Sequence, residues 1–288
     1  MKSPSFALLF RSRSATVGFF VFGAIVVAGL AAPILTTADP QLINVRARLI
    51  APGGEFLLGT DHLGRDLLAR VLYGARVSLL VGVSVTLGAT AGGIVLGLLG
   101  GYGNRLVSSL IMRVIDGMMA FPGILLALAL VAVLGPRLSN TILALSIVYT
   151  PRMARVVQAA VLQTKVRDYV EAAVALGARQ TRVMMRHILP SVVTSILVQG
   201  TFAFAYAVIA EAGLSFLGVG APPDIPTWGN ILSTGRSHML VAPWITLIPG
   251  LAIFVTVMAL NLLGDGLRDL TDPHVSKARG AASLDTAQ

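Results

Sequence analysis

Six apolar runs, each close to the length that crosses a lipid bilayer, constrain this chain more than any other feature. They lie at roughly 15–37, 77–101, 118–135, 139–160, 190–212 and 244–264. A helix needs about 20 residues, at a rise of about 1.5 Å each, to cross a hydrocarbon core of about 30 Å. In lipid every backbone polar group must be bonded internally, so runs of this kind fold as helices. The expectation is an all-α polytopic membrane protein with six transmembrane helices. The third run is short and draws on residues from Ile111 onward. The fourth carries Arg152 and Arg155, so its membrane part is expected to end near Thr150. Charged residues are 12% of the 288, half the share of about 25% in a soluble domain. The first run follows Lys2, Arg11 and Arg13 and is longer than the apolar stretch of a signal peptide, so it reads as a retained span.

Charge sets an orientation. Fifteen basic residues fall on the side that holds both termini and the 152–189 loop, against seven on the other. The positive-inside rule then places both termini in the cytoplasm. The loop after the first run carries five arginines, which makes it the awkward case. The net charge of +9 would suggest nucleic acid in a soluble protein. Here it follows from cytoplasmic loops, and no nucleic-acid partner is expected. There are no cysteines, which excludes disulfides, thiol catalysis and Cys-ligated metals. The only lysines are Lys2, Lys165 and Lys277, none after a glycine. No Walker A motif is present, so if ATP drives this protein another chain binds it. In the second run Gly93, Gly97 and Gly101 recur at helical spacing, which predicts close packing against another helix. Arg113 and Asp116, three apart, are expected to pair locally.

The loop between the fourth and fifth runs reads VRDYVEAAVALGARQTRVMMRHILP. Asp168 to Leu176 are good helix formers, and Val170, Ala173, Val174 and Leu176 suggest one apolar face. Gly177 ends that helix, a second starts near Gln180, and Pro190 opens the next span. Glu171-Ala172-Ala173, then Gly177, then Leu189-Pro190, resembles the EAA signature of permease subunits of bacterial ABC importers. The family's usual isoleucine two residues before Leu-Pro is His187 here. Leu58-Gly59-Thr60-Asp61-His62-Leu63-Gly64-Arg65-Asp66 is similar to the LGTDxxGRD segment of the dipeptide, oligopeptide and nickel permeases. Tyr73 to Leu79, Glu211 to Gly218, Trp228-Gly229-Asn230 and Asn261 to Asp269 fit the same branch.

The resemblance implies the type I ABC importer permease fold and the second, "C-type" permease of a pair. Residues 1–75 would hold an N-terminal interfacial helix, the first span and an outer loop. Residues 76–270 would be the transmembrane core, and 271–288 a mobile cytoplasmic tail. The loop at about 165–180 would be the coupling helix that docks on the ATPase, with Glu171, Ala172, Ala173 and Gly177 as its residues. The implied partners are a homologous permease, two ABC ATPase subunits and an extracytoplasmic peptide-binding protein. ATP and Mg would sit on the ATPases, and this chain would bind no cofactor or metal and have no catalytic residue. The expected cargo is a di- or oligopeptide, with nickel and glutathione as alternatives.

Glu211 and Trp228 are the candidates near the outer mouth. Glu211 either touches substrate or the binding protein, or holds the outer loop by hydrogen bonds. Residues 213–240 either receive substrate or form an ordered cap. Gly213-Leu214-Ser215-Phe216 fits the short rhomboid-protease motif, but no later span contains the histidine base that mechanism needs. An ion-coupled secondary transporter would need ionisable groups at the span centres and often internal repeats. The span centres here are nearly free of charge.

Overall fold

A computed structural model of the chain describes residues 12–271. The expected interfacial helix before Ser14 falls almost wholly outside those residues, as does the tail after Pro273. Among the described residues the regular structure is helical, with two isolated bridges and no strand.

The six runs map onto eight helices. The first forms α1 (Arg13–Leu30) and the short α2 (Ala32–Leu35). The break at Ala31 follows from Pro33, which lacks a donor and restricts the residue before it. The second run lies in α3 (Leu67–Tyr102), 36 residues long. It starts ten residues before the apolar stretch because Asp66 caps it, accepting from the N–H groups of Leu68 (2.7 Å) and Ala69 (3.3 Å). The third is a bent pair, α4 (Arg105–Met119) and α5 (Gly123–Leu134), whose axes turn by 92° at Pro122. At 12 residues α5 is about 18 Å long and cannot cross a bilayer alone. The fourth is α6 (Leu138–Lys165), which continues well past Thr150.

Two short helices, α7 (Asp168–Ala175) and α8 (Gln180–Val183), fill the next loop. Instead of a fresh start at Pro190, a π-turn at Met184–Ile188 joins α8 to α9 (Leu189–Phe216). The wider turn accommodates the donor that Pro190 lacks. Then come α10 (Trp228–Gly235) and α11 (Trp244–Thr271). Four helical segments are long and apolar enough to span on their own: Arg13–Leu30, Leu67–Tyr102, Gln180–Phe216 and Trp244–Asp269. The bent pair makes a fifth if it counts as one span. The fourth run's helix, α6, has the length but carries Arg152, Arg155 and Lys165 in its second half.

The glycine stripe explains why α3 is central. Helix α3 packs along α6 through it. A Cβ on Gly97 would lie 2.5 Å from Val157 Cβ, and one on Gly101 2.7 Å from Val161 Cγ1. Only a hydrogen leaves room for that approach, as expected for small residues in lipid. Opposite Gly88 and Gly92 stand Ser146 and Thr150. Their hydroxyls donate to the carbonyls of Ile142 and Ser146 (both 2.7 Å), so they enter the interface already bonded. The local Arg113–Asp116 pair does not form: Asp116 pairs with Arg155 of α6, tying α4 to it.

Two ends result, which we call the α7 end and the cap end. Val157, Val161, Val170, Val183 and Ile188 make the core of the first. Residues 36–66 and 217–243 form the second, over Leu67, Trp228, Ile231 and Ile245. Between them the perimeter exposes large side chains, among them Phe20, Leu87, Leu251 and Phe254. A soluble monomer does not carry an apolar surface of that extent.

Candidate functional site

The α7 helix meets the bundle through two side chains, Val170 and Tyr169. Val170 is 1% exposed and inserts among Val161, Val183 and Ile188. The Tyr169 hydroxyl lies 2.9 Å from Ser191 Oγ, which ties α7 to α9. Asp168 and Glu171 occupy the first turn of α7, where carboxylates favour the helix dipole. Gly177 has φ +80°. The Ala178 N–H donates to Ala173 O (3.1 Å) and the Gly177 N–H to Val174 O (2.9 Å). That bond pair is the Schellman arrangement, and it requires the left-handed residue that glycine supplies.

The exposed side of the hairpin is formed by Glu171, Ala172, Val174, Ala175 and Leu176, with Ala173 half-buried. The single apolar face suggested by the sequence is therefore divided. Val170 points inward, whereas Val174 is 51% and Leu176 88% exposed. Leu176 is the cap residue, past the last full turn, so helical periodicity does not carry it back to the bundle. A carboxylate, two small residues and two uncovered aliphatic side chains thus project together from the α7 end.

At the cap end the candidate residues are buried. Glu211 has no exposed surface. Its Oε1 accepts from Ser215 Oγ at 2.7 Å, and the Thr227 side chain sits beside it. Trp228 is 1% exposed. Its backbone N–H donates to Ser78 Oγ (3.2 Å) and its indole N–H to Val71 O (3.0 Å). Asn230 Nδ2 lies within 3.1 Å of the carbonyls of Ala221, Pro222 and Ile225. These residues lock the 217–235 segment onto α3 and α9. Within this chain both Glu211 and Trp228 are buried among these contacts. A cavity of about 1050 Å³ between α1 and α3, walled by Phe22, Leu30, Leu80 and Phe204, touches neither.

The LGTDHLGRD segment builds the other half of the cap. Asp61 accepts from the Leu63 and Arg65 N–H groups (2.8 and 3.0 Å) and from Arg65 Nε (2.6 Å). The Arg70 guanidinium lies 3.6 Å from the same carboxylate, and all three side chains are buried. Thr60 Oγ1 donates to Ala47 O (2.5 Å) and accepts from the Ile50 N–H (2.9 Å). His62 stacks on His238 with centroids 5.3 Å apart, joining the two cap segments. Burial holds the His62 imidazole below its ordinary value of 6.5. Asp61 opposes this, while Arg65, His238 and Arg48 add to it. A histidine held neutral on folding binds fewer protons folded than unfolded. The cap is therefore expected to lose stability as pH falls through 6.5 toward the folded value. Limited proteolysis within residues 36–66 should quicken between pH 7.5 and 5.5. A His62→Gln chain should show a flatter dependence, and an equal slope would assign the effect elsewhere.

The sequence named the motif at 58–66 but not the Asp61–Arg65–Arg70 cluster, nor the Asp116–Arg155 pair. The first had a weak signal, opposite charges close in sequence. The second joins residues 39 apart, and no local pattern marks it.

The comparisons agree with this geometry. The family described as "Binding-protein-dependent transport system inner membrane component" matches residues 93–277. A putative peptide transport system permease of Brucella suis is 47% identical over 93% of this chain and 90% of that protein. A dipeptide transport system permease of Alkalihalophilus pseudofirmus is 41% identical over 94% and 89%. A glutathione transport system permease of Pectobacterium atrosepticum is 45% identical over 78% and 74%. Among solved structures, one titled as inward-facing conformations of the MetNI methionine ABC transporter superposes with a TM-score of 0.59. It does so at 17% identity, over 70% of this chain and 97% of that one. That likeness carries the type I importer fold. Apolar membrane-length helices, an exposed hairpin with the EAA residues and the matched family together place the chain: it belongs to the family of binding-protein-dependent transport system inner membrane components, the permeases of ABC transporters.

Proposed function

We propose that this chain is one of two homologous permeases of an ATP-driven importer that carries di- or oligopeptides into the cell. Its relatives of 41–47% identity that are named for peptide or dipeptide transport support the cargo class. The exposed α7 hairpin supports the energy source. A helix that exposes Glu171, Ala172, Val174 and Leu176, and is anchored by Val170, has the form of an element that receives a moving partner. In this reading one of two ATPase subunits, which bind ATP and Mg, docks there. Their closure is carried through α7, α8 and the π-turn into α9, and access to the central path alternates. The α7 end faces the cytoplasm of a cell whose inner membrane holds the complex, in keeping with its seven basic residues between 152 and 189. The cap end receives an extracytoplasmic binding protein. Glutathione, itself a tripeptide, is the second cargo reading, supported by the 45% identical relative.

The test is uptake of a labelled dipeptide by proteoliposomes of the co-expressed complex. Accumulation should require ATP, both permeases and loaded binding protein. Accumulation by this chain without ATPases would overturn the reading in favour of an ion-coupled carrier.

A further inference from the structure

Arg152 stands 14 residues after the start of α6 and 13 before its end. The contact with α3 sets its depth. A Cβ on Gly92 would touch Thr150, and one on Gly97 would touch Ala154 and Val157. Arg152 therefore lies level with residues 92–97 of α3. That level is about 15 residues, or roughly 22 Å, from the cap end of the uncharged run 77–101. It is at least four residues, or roughly 6 Å, from the other end of that run. Taking that run as the span of α3 places the α-carbon of Arg152 within the hydrocarbon layer. Helical side chains lean toward the helix N-terminus, here the cap end, so this one leans toward the membrane centre.

Its neighbours hold it there. Arg152 Cζ lies over the Tyr206 ring of α9, 5.1 Å from the centroid. Tyr149, three residues earlier on α6, stacks on Tyr206 with centroids 6.5 Å apart and ring planes 23° from parallel. The Tyr149 hydroxyl donates to the Tyr206 carbonyl at 3.3 Å. Arg152 is exposed in the isolated chain and Tyr206 is 42% exposed. Among the described residues no carboxylate pairs with Arg152. A guanidinium facing lipid at this depth costs more than one cation–π contact returns, so intramembrane arginines face water or protein.

We propose that the Tyr149–Arg152–Tyr206 face lines the translocation path and that Arg152 binds the carboxylate of the cargo as it crosses. The guanidinium meets Tyr206 through a cation–π contact, and among the described residues no hydrogen bond or ion pair engages its N–H groups. Those groups match a carboxylate with two parallel hydrogen bonds. The Tyr206 hydroxyl supplies a further donor. The ligand class is a short zwitterion with a free carboxylate, such as the C-terminus of a di- or tripeptide, so this inference rests on the peptide reading above.

The absence of cysteine in this chain allows a direct test. Tyr206→Cys and, for comparison, Leu251→Cys on the exposed apolar side of α11 are placed singly in the full complex in proteoliposomes. They are treated with a water-soluble methanethiosulfonate, and labelling of this chain is read by mass. Tyr206→Cys should react at least tenfold faster. Excess dipeptide should slow it, and the C-terminally amidated dipeptide should not. In parallel, Arg152→Gln should lower peptide moved per ATP hydrolysed about tenfold, with Arg152→Lys recovering part. Equal labelling at the two positions, or a wild-type peptide-to-ATP ratio in Arg152→Gln, overturns the proposal. Failure of Arg152→Gln to co-purify with its partner subunits also overturns it, by placing the arginine in a subunit contact. A wild-type complex that moves no peptide defeats the functional reading instead, and the labelling ratio still decides whether this face is wet.

Discussion

Glu171→Ala and Leu176→Asp should leave the permease inserted and assembled, yet cut ATP-driven peptide uptake at least tenfold. The two changes act on different terms. Glu171 is an exposed carboxylate in the first turn of α7, and its loss removes a charge that a basic ATPase surface could pair. Leu176 is 88% exposed. Burying a leucine against a partner is worth roughly 1.5–3 kcal/mol, which a charged replacement forfeits and then opposes through desolvation. Gly177→Val attacks the same element through its backbone. A β-branched residue at φ +80° costs on the order of 1–2 kcal/mol and breaks the Schellman turn. The measurement is ATP hydrolysis and uptake in the same proteoliposomes, with and without loaded binding protein. Uptake should fall while hydrolysis ceases to respond to the binding protein. Full activity in all three variants would show that the hairpin is not the coupling element.

Asp61→Asn should have the largest effect on stability. One buried carboxylate is shared by two buried guanidinium groups, Arg65 and Arg70. The asparagine can still accept from the Leu63 and Arg65 N–H groups, so the loop retains its backbone bonds. What it loses is the only negative charge at the cluster. Removing one partner of a buried ion pair costs about 3–5 kcal/mol, because the charge left behind is uncompensated. The expected result is a lower thermal midpoint for the purified complex and faster cleavage within residues 36–66. Removing the charges together, as Asp61→Leu with Arg65→Met, should recover part of the loss. An unchanged midpoint in Asp61→Asn would show that solvent or a partner neutralises the cluster.

The hairpin shows why parts of the site were legible. Helix, turn and second helix followed from local chemistry: good helix formers from Asp168, a glycine where the backbone must turn left-handed, and a proline ahead. Each is decided within a few residues, so sequence reasoning reached it. Which hydrophobic residue anchors the hairpin was not local. Val170 and Val174 are four apart on one face, yet the first is buried and the second half exposed. The difference lies in where α6 and α8 end, which no periodicity encodes.

The same division holds at the cap. Glu211 closes an apolar run and Trp228 lies in the segment that follows it, and by composition either could face a path. The structure buries both: Ser215 donates to Glu211 Oε1, and Ser78 and Val71, 150 and 157 residues away, accept from Trp228. Arg152 is the converse. Sequence took it as a sign that the membrane part of α6 ends, whereas the register of Gly92 and Gly97 on α6 places it level with the apolar run of α3.

The sequence by itself determined the class of this protein. It set the number and order of apolar runs, the side that carries the basic loops, the glycine stripe and the position of the α7 hairpin. Those properties depend on composition and on spacing within one or two turns. Tertiary structure alone decided that the third run bends by 92°, that Asp116 pairs with Arg155 and that Asp61 serves two arginines. It also decided that Arg152 meets Tyr206. Each of these is a contact between groups distant in the chain or a choice between partners of similar local energy, and only the packing of α3 against its neighbours discriminates among them.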